Sequence, residues 1–178
     1  MSKKNDNENS ITITCNITGD DFVRFAKYDT FKRKKAWKSP VFFALIMTGF
    51  ALICYTVLRD REQSSLLGTV LLAVGLVVPS VWYFMYMRSL REQVKKIGLR
   101  TSKAQYFVMF SPDRIHVSKG KETADYLWEN VYMLVYDKDV SYLYVDPQRA
   151  FLLPDGEGIN EMKALAEQKL SADKIIKA

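Results

Sequence analysis

One histidine, His116, and two cysteines, Cys15 and Cys54, are all the imidazole and thiol chemistry that 178 residues offer. A multi-histidine metal site is excluded, and any Ser-His-Asp or Cys-His arrangement must be built around that one ring. On a strand His116 shares a face with Arg114 and Ser118, opposite Ile115 and Val117, which predicts a surface histidine. Neither cysteine belongs to a CxxC pair, and their settings disfavour a mutual bridge, so both are read as free thiols. The eight glycines contain no GxxxxGK or GxGxxG run, and Gly156-Glu157-Gly158 reads as a turn into a last helix. Asp137, Asp139 and Asp146 lack the regular offsets and central glycine of a calcium loop, so they read as solvated hairpin ends. No metal, cofactor or enzymatic activity is expected.

Charge is missing where its absence means most. Val41 to Leu58, which follows Ser39-Pro40, and Leu66 to Met87 contain no Asp, Glu, Lys, Arg or His. At 1.5 Å per residue these runs give helices of about 27 Å and 33 Å, against a hydrocarbon core of about 30 Å. A helical hairpin buried in a soluble core would need polar stripes or a break, and neither run has one. Two membrane spans are therefore predicted, 39–58 and 66–87, joined by an external loop 59–65. The missing intramembrane charge also disfavours a channel or transporter, whose ion and substrate paths carry such groups.

The net charge of +6 is unevenly placed. Arg24, Lys27, Lys32, Arg33, Lys34, Lys35 and Lys38 face only Asp29, and Arg88, Arg91, Lys95, Lys96, Arg100 and Lys103 face only Glu92. From Ala104 onward acids outnumber bases. Such a distribution is not a nucleic-acid footprint, and it puts both termini in the cytoplasm by the positive-inside rule. Trp37, Phe42 and Phe43 at the entry to the first span, and Trp82, Tyr83, Phe84 and Tyr86 at the exit of the second, form an aromatic belt at that same interface. The polar residues 1–10 are expected to be disordered and hold no cleavable signal, so the first span must direct its own insertion.

Ile11, Ile13, Cys15 and Ile17 alternate with polar residues and predict a half-buried strand. Thr18-Gly19-Asp20-Asp21 then starts a short amphipathic helix carrying Phe22, Phe25, Tyr28 and Phe31, within a segment 11–38 that leads to the membrane. Its cations either set topology or touch an anionic leaflet. In the hairpin, Ala44, Thr48 and Ala51 form one small-residue stripe, and Gly68 and Gly75 lie seven apart on the second helix, the pattern of close helix packing. Pro79 is expected to kink that helix.

After a basic linker, 88–103, the segment 104–178 reads as six short strands: 105–110, 114–118, 121–128, 131–137, 141–145 and 149–153. A helix follows, with Asn160 as its cap and Met162, Leu165, Ala166 and Leu170 at helical spacing. The predicted class is an α+β membrane protein: a transmembrane hairpin plus a small antiparallel sheet or barrel closed by a C-terminal helix, a pleckstrin-homology-like plan. The hairpin turn Lys119-Gly120-Lys121, with Arg114 nearby, is a candidate site for a phosphorylated head group.

Tyr142-Leu143-Tyr144-Val145, a turn, and Ala150-Phe151-Leu152-Leu153-Pro154 resemble a hairpin of the YcxB-like bacterial membrane proteins, which have two spans and a YcxB-like C-terminal domain. The resemblance covers about Ile11 to Leu170. The family's proline is usually followed by a basic residue, whereas Asp155-Gly156 follows here. The family implies a fold and an inner-membrane location, with no activity. The expected role is to tether a binding domain to the lipid bilayer for a protein partner or a second copy, or to serve as an accessory subunit of a transport complex.

Overall fold

A computed structural model describes residues 10–58, 63–99 and 103–177. The remaining residues, which include the predicted disordered N-terminus, most of the 59–65 connector and Arg100, lie outside the described residues. The chain forms two compact units, one from residues up to Phe25 together with those from Gly98 onward, the other Ala26–Ile97. It is an α+β protein with two long apolar helices and two antiparallel-rich sheets.

The first unit begins with β1 (Ile11–Ile17) and α1 (Gly19–Lys27). Thr18 opens α1 through a reciprocal cap: its Oγ1 accepts the Asp21 N–H at 3.3 Å, while Asp21 Oδ2 accepts the Thr18 N–H at 2.9 Å. β1 pairs antiparallel with β2 (Ala104–Phe110), which pairs with β3 (Arg114–Lys119), which pairs with β4 (Glu122–Leu127). The strand predicted from the Ile alternation is thus the edge of a sheet whose other strands come almost ninety residues later. Period-two alternation gives this sheet one buried face: Ile13, Cys15 and Ile17 join Tyr106, Val108, Phe110, Ile115 and Val117.

The second sheet has the order β7 (Ala150–Pro154), β6 (Val140–Tyr144), β5 (Met133–Tyr136), β8 (Ile175–Lys177). Every residue of β6 is buried. Strands flank it on both sides, and the Phe25 ring of α1 packs on its Tyr142 and Tyr144 rings at 5.3 and 5.9 Å. The two sheets do not close into a barrel. Nor is α4 (Ile159–Lys169) the last element, because the chain continues through a 3-10 turn, Ala172–Lys174, into β8, which runs parallel to β5. Three residues with no alternation to read left β8 invisible in the sequence.

The turn chemistry follows the sequence. Gly120 takes φ +61 between β3 and β4. Asp146 Oδ1 accepts the N–H groups of Gln148 and Arg149 at 2.7 and 2.8 Å, and Asp137 accepts the Lys138 N–H and the Tyr142 hydroxyl. Asn160 is the exception. The cap of α4 is Gly158 at φ +81, where a Cβ would meet Ile11 Cγ2 at 3.0 Å, and Asn160 lies inside the helix. Glycine wins that position because backbone shape and crowding both demand it.

The second unit holds a π-helical turn, Tyr28–Arg33, then α2 (Lys38–Thr56) and α3 (Ser64–Lys96). α3 runs without a break through Pro79 and extends well past Met87, so the predicted linker from Arg88 is helical to Lys96.

Candidate functional site

The α2–α3 seam is built from small side chains. Ala51 and Cys54 are buried on α2, and Ser64, Gly68 and Gly75 on α3, with Ala44, Met47 and Thr48 half-buried between. A Cβ on Gly75 would lie 2.9 Å from Met47 Cβ and 3.6 Å from the Ala44 carbonyl oxygen, and one on Gly68 would lie 3.0 Å from the Tyr55 ring. At Gly75 a Cβ would collide with a Cβ fixed to the opposing backbone, and at Gly68 it would press on a ring that must give way, so small residues let the helices come this near. Four hydroxyls on these helices are satisfied locally: Thr48, Thr56, Thr69 and Ser80 each donate to the carbonyl four residues back at 2.8–2.9 Å. The outward faces are apolar and exposed, including Phe42, Leu45, Phe50, Leu66, Leu76, Phe84 and Met85.

At the other end of this hairpin an aromatic cluster anchors the π-helical turn. The Phe31 ring lies 6.2 Å from Trp82, 6.2 Å from Tyr83 and 5.3 Å from Tyr86, and Trp82 stacks on Tyr86. The Tyr86 hydroxyl sits 2.9 Å from the Ala26 carbonyl oxygen and 2.8 Å from Thr30 Oγ1. Asp29, half-buried, is paired with Arg33 and Lys34. Lys35 then takes φ +52, a left-handed conformation that costs a residue with a Cβ about 1 kcal/mol. Its carbonyl accepts the Lys38 N–H at 3.0 Å and closes the turn into α2.

Of the residues considered for a head-group site, Lys119 and Lys121 flank the Gly120 turn and Arg114 lies apart from them. Arg114 and Lys119 stand at opposite ends of β3 and on opposite faces of its pleat, separated by about 16 Å of strand. Lys119 faces Glu122 across the hairpin, and Lys121 is in the exposed turn. His116 is on the outer face as its alternation predicts, with Nδ1 2.7 Å from Asp125 Oδ1 on β4. Among the described residues no group of three or more His, Cys, Asp or Glu is placed to hold a metal ion. Cys15 and Cys54 are both free and buried.

Two features of the β unit escaped the sequence. The Tyr106 hydroxyl is buried against Leu152 of β7, and its only sequence signal is a hydroxyl-bearing ring at an inward position. Beside β8 an open groove of about 650 Å³ runs between Glu129–Met133, Val145–Pro147 and Asp173–Ile176. There Lys174 Nζ donates to the carbonyl oxygens of Glu129 and Val131 at 3.1 and 2.8 Å.

The two helices are long and apolar enough to cross a membrane, with only 11% and 17% of their most apolar windows buried. No protein-family profile, curated protein or solved structure matches the chain.

Proposed function

We propose that the chain is a multi-pass protein of the bacterial inner membrane, with both termini cytoplasmic, whose hairpin anchors a pleckstrin-homology-like binding unit. The observation that carries this reading is the outer surface of the hairpin. It presents large apolar side chains along both helices, the hydroxyls of Thr48, Thr56 and Ser80 are tied to their own backbone, and no Asp, Glu, Lys, Arg or His interrupts the two apolar runs. In water an exposed apolar face of this extent demands a cover, and hydrocarbon is the cover that leaves no polar group unsatisfied.

The work of the protein is then binding to another protein or to a second copy. The acid-lined groove beside β8, with half-exposed Tyr132 and Ile176, supports that role. The YcxB-like resemblance and the bacterial location it implies belong to the same proposal. Alkaline carbonate extraction of membranes followed by flotation tests the anchor: the protein should float with lipid, and release into the supernatant would contradict it. Crosslinking in those membranes tests the binding role, and a strictly monomeric, partnerless chain would count against it.

The alternative, an accessory subunit of a transport complex, needs an intramembrane interface beyond the hairpin. Gly68 and Gly75 no longer discriminate, because they are consumed within the hairpin itself. Exposed Leu76 and Val77 do. Alanine at both should leave a passive anchor intact and should break a specific helix interface.

A further inference from the structure

We propose that the turn from the π-helical segment into α2 binds the phosphate head group of an anionic phospholipid, an inference that rests on the membrane reading of the hairpin. Lys27, Lys32, Lys35 and Lys38 are exposed, and no described carboxylate lies within ion-pair distance of them. Asp29, the one acid in this stretch, already serves Arg33 and Lys34. The turn is therefore a concentration of uncompensated ammonium groups.

Its depth is set by packing. Phe31 holds the segment against Trp82 and Tyr86, at the level of α3 where the apolar run ends at Met87 and the cations begin at Arg88. Trp37, 45% exposed, sits inside the turn, as an amphipathic ring does at a head-group boundary. Lysines at that level extend their apolar stems along the hydrocarbon edge and keep their ammonium groups among phosphates. The neighbouring surface is exposed apolar helix, which selects a lipid over a soluble acidic partner.

Lys35 sharpens the assignment. A left-handed backbone at that position suits glycine, yet the chain carries an exposed lysine there. Lysine supplies strong, orientable donors to phosphate, and a net negative head group such as a phosphatidylglycerol leaves that charge unneutralised by any choline.

The test uses the full chain reconstituted in phosphatidylcholine vesicles that contain an equal fraction of either brominated phosphatidylglycerol or brominated phosphatidylcholine, with quenching of tryptophan emission as the readout. The anionic lipid should be enriched around the protein on the order of fivefold at low salt, and raised salt should reduce this. Replacing Lys32, Lys35 and Lys38 together by Gln should reduce the preference for the anionic quencher, with Lys27 and the cations from Arg88 onward still in place. Lys35→Gly, which relieves the backbone, should fold at least as stably and still lose part of the preference. Equal quenching in the unaltered protein would overturn the proposal and leave the membrane reading standing. An unchanged preference in the triple variant would overturn the location, and no quenching by either lipid would overturn both readings.

Discussion

The Tyr106 hydroxyl joins the two sheets by meeting one residue twice: it donates to the Leu152 carbonyl at 2.6 Å and accepts the Leu152 N–H at 2.8 Å. Leu152 lies on β7, an edge of its sheet, where the outward peptide groups have no further strand to pair with. Tyr106→Phe keeps the ring contact with Phe151 and leaves both buried groups unsatisfied. It should lower the stability of the β unit by roughly 2 kcal/mol, read as a shifted denaturant midpoint in Trp128 emission.

Cys15 lies opposite Tyr106 in the β1–β2 register. Burial pushes its thiol up from 9.0 to about 12, and burial raises the Tyr106 phenol as well. Both are held protonated in the folded state, so the unfolded chain releases protons first as pH rises. Stability from Cys15 should be full below about pH 9 and fall between 9 and 12, by about 1.4 kcal/mol per pH unit. Denaturant midpoints from pH 8 to 10.5 should drop more steeply for the unaltered protein than for Cys15→Ala, and thiol alkylation at pH 8 should report unfolding only.

Three glycines of the hairpin separate packing from propensity. Gly75→Leu and Gly68→Leu place side chains where Met47 Cβ and the Tyr55 ring already are, whereas nothing lies within 4 Å of a Cβ at Gly49. The first two should weaken the hairpin by about 1–3 kcal/mol. Gly49→Ala should be neutral or stabilising by up to about 1 kcal/mol. Unfolding titrations with a denaturing detergent compare them.

Ser141 is 1% exposed on the central strand β6, and its hydroxyl has no described partner. Removing an unpaired buried hydroxyl removes a desolvation cost. Ser141→Ala should therefore leave stability unchanged or raise it by up to about 1 kcal/mol, a result that thermal unfolding distinguishes from the loss usual for a core substitution.

The two apolar helices and most strands were legible because each carries a simple pattern: long uncharged runs, or alternation that the pleat converts into one buried face. The Gly68 and Gly75 spacing was legible for the same reason. Closure was not. Pairing β1 with β2 depends on a contact across almost ninety residues, and β8 is too short to carry a period. Asn160 misled because side-chain capping preference is weaker than the left-handed backbone that Gly158 supplies. Arg114 and Lys119 looked closer than they are because sequence distance hides which face of a pleat each residue occupies.

The orientation of the hairpin is best tested with single cysteines and a membrane-impermeant maleimide on intact cells, since Cys15 and Cys54 are buried and give little background. Ser65, exposed at the start of α3, and Glu157, exposed before α4, are suitable positions. Ser65→Cys should label in intact cells and Glu157→Cys only after permeabilisation. Labelling of Glu157→Cys in intact cells, with Ser65→Cys protected, would contradict a hairpin that keeps both ends and the β unit in the cytoplasm.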